Sequence, residues 1–128
     1  MRFGENKKIQ AEQRGHRGEA LAALLLRLKG HRILGQRVKT RAGEIDLVSL
    51  PPFGPVCFVE VKARTIGRDA AEAVAPAQRT RIARAASLYL ASRPGLAKRG
   101  ARFDIIAVPM GQKIGISRHF KDVWRAED

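Results

Sequence analysis

Two carboxylates and a lysine lie on two short apolar segments near the middle of the chain. Asp46 occurs within residues 43–48, and Glu60 and Lys62 occur within residues 58–62. Side chains alternate between the faces of a strand, so Glu60 and Lys62 share one face of the second segment. Charged groups on an apolar strand are costly unless they are paired or bind something. The pattern therefore predicts a functional site.

The connection between the two segments predicts how they pair. Residues 49–55 are rich in Pro and Gly, which is typical of a turn, and two strands with a short connection usually pair antiparallel. This pairing brings Asp46 beside Glu60. Two acids with Lys62 nearby are the minimum set for binding a divalent cation and activating a water.

Two more polar residues are candidates for the same site. Glu19 lies in the first turn of a predicted helix over residues 18–29, where a carboxylate also complements the helix dipole. Gln78 lies near the start of a predicted helix over residues 76–92, on the side of its apolar stripe. Each residue therefore has two interpretations: capping or catalysis for Glu19, and a partly exposed amide or a site residue for Gln78.

The remaining elements follow from hydrophobic periodicity. Four leucines at helical spacing support the first helix, and alternation on the first acidic strand places Glu44 and Asp46 on one face with Ile45 and Leu47 on the other. Further strands are predicted at residues 31–40, 102–108 and 113–117. A basic loop is predicted at residues 64–68, and it either contacts phosphate or is solvated.

Three residues near the end of the chain have structural interpretations. Asp104 is predicted to pair with an arginine, because it is a single acid on a predicted strand. His119 is a single histidine in a basic tail, where a role as a metal ligand is not favoured. Trp124 is expected to anchor the C-terminal segment on the core.

Length and charge set the class of protein. A chain of 128 residues predicts one domain, 1–128, in which residues 1–14 form a flexible basic arm. The 25 Lys and Arg against 12 Asp and Glu give a net charge of +13, which favours a polyanion such as nucleic acid over a merely solvated surface. Aromatic residues are only 5%, so contacts with the nucleic-acid backbone are expected rather than base stacking.

Composition also predicts where the protein works. The single cysteine excludes an internal disulfide and fits the reducing cytoplasm. No apolar run approaches the roughly 20 residues of a membrane span, and the polar, basic start differs from a secretory signal. We therefore expect a cytoplasmic protein with no membrane partner.

The order of these residues resembles that of a known superfamily. Glu19 on a first helix, Asp46 on a strand, Glu60-Val61-Lys62 on the next strand and Gln78 on a following helix resemble the PD-(D/E)XK nucleases. More narrowly, residues 15–120 resemble the YraN-like bacterial family, relatives of archaeal Holliday-junction resolvases. The resemblance implies an α/β fold with a restriction-endonuclease-like three-layer core, in which helices flank a mixed central β-sheet.

The resemblance also implies the metal ligands. Asp46, Glu60 and the backbone carbonyl of Val61 would hold Mg²⁺, or Mn²⁺ in its place. Glu19 would reach the ion through water. Lys62 would orient or help deprotonate the attacking water and steady the charge on the phosphate.

Gln78 would orient a water or a phosphate, although YraN-like chains often carry lysine at this place, and no proline precedes Asp46. The implied activity is endonucleolytic cleavage of DNA, with branched or flapped structures as candidate substrates and a homodimer as a candidate assembly. Two alternatives remain: a nucleic-acid-binding module that keeps the fold without cutting, and a protein-interaction domain with an acidic partner.

Overall fold

A mixed sheet of five strands forms the centre of the part of the chain that the computed structural model describes, which is residues 17–64, 66, 69–109 and 117–126. The strands lie side by side in chain order, with β3 and β4 parallel and all other neighbours antiparallel. They are β1 (Arg32–Thr40), β2 (Gly43–Leu50), β3 (Val56–Lys62), β4 (Ala101–Ala107) and β5 (Arg118–Trp124).

Helices cover both faces of the sheet. Helix α1 runs through residues 17–28, α2 is Pro76–Ala91, and a short α3 is Pro94–Ala97. A 3-10 turn, Ala70–Ala73, precedes α2. Because β3 and β4 are parallel, the chain must cross from one end of the sheet to the other, and α2 lies in this crossover. The three layers confirm the predicted α/β class with a mixed sheet flanked by helices.

The larger core lies between the sheet and α2. Phe58 is fully buried there and packs edge-to-face against Tyr89 of α2. Trp124 at the end of β5 stacks on Phe103 with 5.2 Å between ring centroids and is 3% exposed. The prediction that Trp124 anchors the C-terminal segment on the core is therefore confirmed.

The smaller core lies between the sheet and α1. Ala22, Ala23 and Leu26 face the sheet, where they pack against residues such as Val59 and Ile106. Three of the four leucines that support the helix prediction point away from the sheet. Leu21 is 45%, Leu24 51% and Leu28 77% exposed. The helix is present as predicted, but its alanine-rich face is the one that packs.

Alternation holds on β3 and fails on β2. Phe58 and Val59 pack in the cores on opposite faces, as the period of a strand requires. On β2, however, Ile45 packs in the core beside α2 and Leu47 in the core beside α1. The expectation that they share a face is wrong. β2 stays paired with β1, but Arg37, the β1 residue between the partners of Ile45 and Leu47, has a φ of +50°, so the change of face falls where this strand pair is irregular.

Some predicted segments lie outside the described residues. These are the basic arm at residues 1–14, most of the loop at residues 64–68 and nearly all of the strand predicted at residues 113–117. The strand next to β4 is β5, which begins at Arg118. Among the described residues, the helices are too short or too polar to cross a bilayer.

A buried carboxylate joins β4 to β5. The Asp104 side chain, which is 0% exposed, accepts two hydrogen bonds of 2.9 Å from the guanidinium of Arg102, which confirms the predicted arginine partner. It also accepts from the backbone N–H of Asp122 at 3.0 Å and lies 2.7 Å from His119 Nε2. His119 is thus part of β5 rather than of a tail, and Lys29 Nζ donates to its Nδ1 at 2.8 Å.

These donors decide the ionisation of Asp104. Burial alone would raise its pKa, but the hydrogen bonds from His119, Arg102 and the Asp122 backbone outweigh burial and lower the pKa to about 2. Since an ammonium only donates, the bond from Lys29 leaves His119 Nε2–H as the donor to Asp104.

The single cysteine lies on the α1 side of the sheet. Cys57 is 0% exposed. Burial, together with the negative charge of Asp104, raises the pKa of its thiol to about 11. The thiol is therefore protonated and shielded at neutral pH.

The Asp104 hydrogen bonds predict a specific acid sensitivity. The folded-state pKa of about 2 lies below the ordinary value of 3.8, so the unfolded chain binds this proton first. Asp104 contributes stability above about pH 4 that disappears as the pH falls to 2, about 2 kcal/mol in all. Asp104→Asn should cost about 3 kcal/mol at pH 7, because Arg102 loses its buried partner.

Urea unfolding from pH 2 to 7 measures both effects. The control is Glu72→Gln, which alters an exposed acid. An unfolding free energy that depends on pH in the same way with Asn at position 104 would contradict the assignment.

Candidate active site

The candidate site begins where two central strands separate. Backbone pairing of β2 with β3 runs through Leu47↔Val59 and goes no further. Beyond it, the backbone N–H of Val61 donates to Asp46 Oδ2 at 2.8 Å. A side-chain carboxylate thus takes the place of a backbone acceptor, which fixes Asp46 at the point of separation.

Asp46 and Glu60 meet at this point and are called the acid pair below. Their carboxyl groups are close enough to share a hydrogen bond, and Glu60 is only 9% exposed. Burial, and then the negative charge of Asp46, raises the pKa of Glu60 to about 8. Burial also raises the pKa of Asp46, although the Val61 N–H opposes the shift. The acid pair therefore tends to keep a proton at neutral pH.

Gln78 reaches the acid pair from α2. Its Nε2–H donates to Glu60 Oε1 at 3.1 Å, so the amide points into the site rather than into solvent. Two features of the sequence place it there: Pro76 lies in the first turn, where its missing N–H costs nothing, and Ile82, one turn further on, is buried against the sheet.

Lys62 lies at the end of β3, two residues beyond Glu60, and is partly exposed. Burial dominates the pKa shifts of the acid pair, and the positive charge of Lys62 opposes both shifts. The ammonium is therefore near enough to stabilise charge on the acids while remaining open to solvent.

Glu19 approaches the site from the start of α1. The preceding Gly18 lies against the end of β3, where an added Cβ would be 3.7 Å from Val61 Cγ1 and 3.8 Å from Ala63 Cβ. Glu19 adds to the upward pKa shifts of Asp46 and Glu60, after burial. It nevertheless belongs to an ion pair, since Arg37 Nε–H donates to Glu19 Oε2 at 2.8 Å.

The number of side chains available to an ion is small. Over the described ranges, no group of three or more His, Cys, Asp or Glu side chains is arranged to hold a metal. The structure thus brings Asp46, Glu60 and Gln78 together with Lys62 nearby and ties Glu19 to an arginine. The metal and catalytic roles of these residues stay predictions.

Arg37 is a site residue that the sequence did not indicate. It lies on β1 with φ at +50°, a left-handed conformation that is unusual for a side chain of this size. Its hydrogen bond to Glu19 and the charges of Glu19, Glu44 and Asp46 raise its pKa. A single sequence carries no mark of such a backbone angle, and one arginine among many on a basic chain does not stand out.

The fold and the site define a three-layer α/β protein with a close pair of carboxylates, one buried and one half-buried, where two strands of its sheet separate. The chain belongs to the family described as "Uncharacterised protein family UPF0102", whose model matches residues 18–108. This confirms the predicted YraN-like family.

Curated relatives align along nearly the whole chain. The UPF0102 protein of Paramagnetospirillum magneticum is 46% identical over 121 residues, covering 91% of each chain. That of Agrobacterium fabrum is 47% identical over 119 residues, covering 93% of this chain and 94% of its own. That of Caulobacter vibrioides is 45% identical over 121 residues, covering 94% and 93%.

The acid pair predicts a stability that falls with rising pH in metal-free buffer. The pKa of Glu60 is higher in the folded state, about 8 against an ordinary 4.5. The folded protein therefore binds the extra proton between these values, and stability falls across that window as pH rises. Glu60→Gln should remove the contribution of Glu60 and raise the unfolding free energy at pH 8.

Urea unfolding in EDTA at pH 5, 6.5 and 8 measures this dependence. Glu44→Gln, on the exposed part of β2, is the matched control and should follow the wild type. If Glu60→Gln were as pH-dependent as the wild type, the acid pair would not exist in solution.

The left-handed backbone of Arg37 predicts that glycine at this position is more stable than alanine, the reverse of the usual order in a strand. Gly adopts a left-handed angle at little cost, whereas a residue with a Cβ is strained there by about 1 kcal/mol. Arg37→Gly should therefore be about 1 kcal/mol more stable than Arg37→Ala, although both variants lose the ion pair.

Lys39, exposed on the same strand and without a positive φ, provides the comparison. There Gly should be less stable than Ala by about 0.5–1 kcal/mol. Chemical unfolding of the four variants checks the reversal, and the same order at both positions would refute the angle at Arg37.

Proposed function

We propose that this protein is a Mg²⁺-dependent endonuclease of the PD-(D/E)XK superfamily that hydrolyses phosphodiester bonds in DNA. The observation that carries the proposal is the acid pair, together with Lys62, which lies on the same strand as Glu60. Two adjacent like charges, one buried and one half-buried, are unfavourable in a resting protein, and a divalent cation between them offsets the cost. The arrangement is thus better suited to binding a cation than to stabilising the fold.

The donor set fits a hard cation. Asp46 and Glu60 supply carboxylate oxygens and Val61 supplies a backbone carbonyl, which are the ligand types that Mg²⁺ and Mn²⁺ take while retaining several waters. When bound, the ion would lower the pKa of a water and offset the charge that grows on the phosphate. Glu19, tied to Arg37, would act through a water of the ion.

The other residues of the site orient the two carboxylates, the attacking water and the phosphate. The Val61 N–H keeps the Asp46 carboxylate in a fixed direction, and the Gln78 amide does the same for Glu60. Lys62, partly exposed beside them, is placed to orient the attacking water and to steady a phosphate oxygen. Arg37 is placed to fix the direction of Glu19.

DNA is the proposed substrate because of charge. A net charge of +13, carried largely by arginine, favours a phosphate backbone through counterion release. The preference for branched or flapped DNA, the homodimer and the cytoplasmic location rest on the resemblance to resolvases and on the single cysteine, and belong to the same proposal.

One observation favours a second candidate function, a nucleic-acid-binding module without catalysis. Among the residues that the structure describes, the acid pair supplies two acidic side chains, and Glu19, a third acid whose charge acts on them, is already engaged by Arg37. Such a module would use the same basic surface, and its binding would be sensitive to salt but indifferent to the acid pair.

Cleavage assays separate the two functions. We expect the wild type to cut labelled branched or linear DNA with Mg²⁺ and not with EDTA. Asp46→Ala and Lys62→Ala should each reduce the rate at least about 100-fold, since each removes a group that acts on the reacting phosphate. Glu44→Ala, on the same strand as Asp46, is the control and should retain activity.

Binding assays complete the comparison. Glu60→Gln should bind DNA as tightly as the wild type in EDTA under either function. If the wild type and all variants bind DNA equally but none cuts any substrate shape with Mg²⁺ or Mn²⁺, the binding module replaces the nuclease.

A further inference from the structure

A cleft between helix α2 and the start of β2 begins at the candidate active site. Its inner end is a cavity of about 190 Å³. Residues of both elements line this cavity: Gly43, Glu44, Gln78, Arg81 and Ile82. Because Gln78 also donates to Glu60, the inner end of the cleft lies beside the acid pair.

A larger cavity of about 690 Å³ continues the cleft between α2 and the turn that joins β1 to β2. The lining of one cavity runs directly into that of the other on both walls, because Ala42 precedes Gly43 and Ala83 follows Ile82. The two cavities together are called the arginine cleft below. The larger one has about the volume that encloses one small organic molecule.

Arginines line the arginine cleft from both walls. Arg81 and Arg84 are three residues apart on α2 and therefore lie on one side of it, and Arg41 faces them from the turn. All three are exposed, and none takes part in an ion pair among the residues that the structure describes. The cleft therefore presents cations that are available to an anionic ligand.

Glu44 is the acidic residue in the lining of the smaller cavity. Its negative charge contributes to the raised pKa of Arg37, so a guanidinium lies near enough to offset it. The net charge of the lining remains positive.

The surface between the arginines of the larger cavity is apolar. Ala42, Ala83, Leu88 and Ala91 contribute to it. An unpaired strand of nucleic acid matches both kinds of surface, since its phosphates are anionic and the faces of its bases are apolar and open. A guanidinium can bind a phosphate through two hydrogen bonds or stack on the face of a base.

A double helix matches the arginine cleft less well. Its bases are paired inside and its phosphates lie outside, so the apolar lining would face charged groups. The volume of the larger cavity is also suited to a chain of single nucleotides rather than to two paired strands.

We propose that the arginine cleft holds an unpaired strand of DNA next to the phosphodiester bond at the acid pair. This inference rests on the proposed function, because it takes the acid pair as the place where the DNA is cut. It assigns the preferred substrate, which is a junction between paired and unpaired DNA with the unpaired strand lying along α2. It also assigns Arg41 and Arg84 as the residues that select this substrate.

Binding in EDTA tests the proposal without any cleavage. The probes are a fluorescein-labelled oligothymidylate of about 15 nucleotides and a labelled duplex of about the same length, each titrated with the full chain at about 0.1 M salt. Arg41→Gln with Arg84→Gln should weaken binding of the single strand at least about tenfold and binding of the duplex less than about threefold.

Arg27→Gln with Arg32→Gln is the matched control, because it removes the same charge from two exposed positions. Arg27 belongs to α1, on the other face of the sheet, and Arg32 begins β1, roughly 26 Å along the strand from Arg41. This variant should weaken binding of the two probes alike, by less than about threefold.

Salt dependence and competition separate a strand in the arginine cleft from simple charge attraction. The slope of log affinity against log salt for the single strand should fall in magnitude by about 0.7 for each substituted arginine that contacts a phosphate, and the control variant should keep the slope of the wild type. Polyglutamate of equal charge should compete at least about tenfold more weakly than the oligothymidylate. Equal competition, or an equal loss of single-strand binding in the two double variants, would overturn the proposal.

Cleavage with Mg²⁺ distinguishes failure of this inference from failure of the proposed function. The wild type should cut a duplex that carries an unpaired arm at least about tenfold faster than the same duplex without the arm. Arg41→Gln with Arg84→Gln should bring the ratio of the two rates close to one, and the control variant should keep the ratio of the wild type. If the wild type cuts both substrates equally fast, the inference fails and the nuclease stands. If no substrate is cut but single-strand binding depends on Arg41 and Arg84 as expected, the single-strand site stands and the nuclease fails.

Discussion

One hydrogen bond organises the centre of this structure, the bond from the Val61 backbone N–H to the Asp46 carboxylate. It lies where β2 leaves β3, and it satisfies a backbone donor that strand separation would otherwise leave without a partner. Because the acceptor is a side chain, the strands can diverge without loss of a backbone hydrogen bond. The gap that results is where Glu60, Gln78 and Lys62 gather.

Asp104, which is buried, and Asp46, which is half-buried, show how differently one sheet treats a carboxylate. Asp104 receives Arg102, His119 and a backbone N–H, and its pKa falls. Asp46 receives one backbone N–H and faces a second acid, and its pKa rises. The first arrangement satisfies a charge and ties β4 to β5. The second leaves a charge undersupplied with donors, which is the condition in which binding a cation is favourable.

The sequence predicted most helices and strands and the meeting of the acid pair because these depend on short-range patterns, whereas the three-layer arrangement was implied by the family resemblance. Alternation and a Pro/Gly turn predict a hairpin, and a hairpin brings Asp46 to Glu60. The features that the sequence could not predict depend on tertiary packing. The sequence did not show which face of α1 is buried. Its leucines predict an apolar face, but they do not show whether that face packs on the sheet. Ile45 packs on the unexpected side because alternation presumes a regular strand pair, whereas Arg37 gives β1 a left-handed backbone opposite this part of β2.

Side-chain partners brought together by the fold were likewise beyond the pattern. His119 was predicted to follow the last strand rather than to lie in one, and its place beside Asp104 depends on the register of β5 against β4. Arg37 depends on a backbone angle that only the folded chain imposes. Gln78 was predicted to lie on the correct side of its helix, but only the distance to Glu60 distinguishes a site residue from an exposed amide.

Cys57, the single cysteine of the chain, lies under α1, fully buried and with a raised pKa. A cysteine introduced anywhere on the surface would therefore be the one thiol that a maleimide reaches in the native protein. Spectroscopic labels could be attached site by site without first replacing the natural residue. Slow alkylation of Cys57 itself would then time the rare openings of the sheet, since only an opened molecule exposes its sulfur.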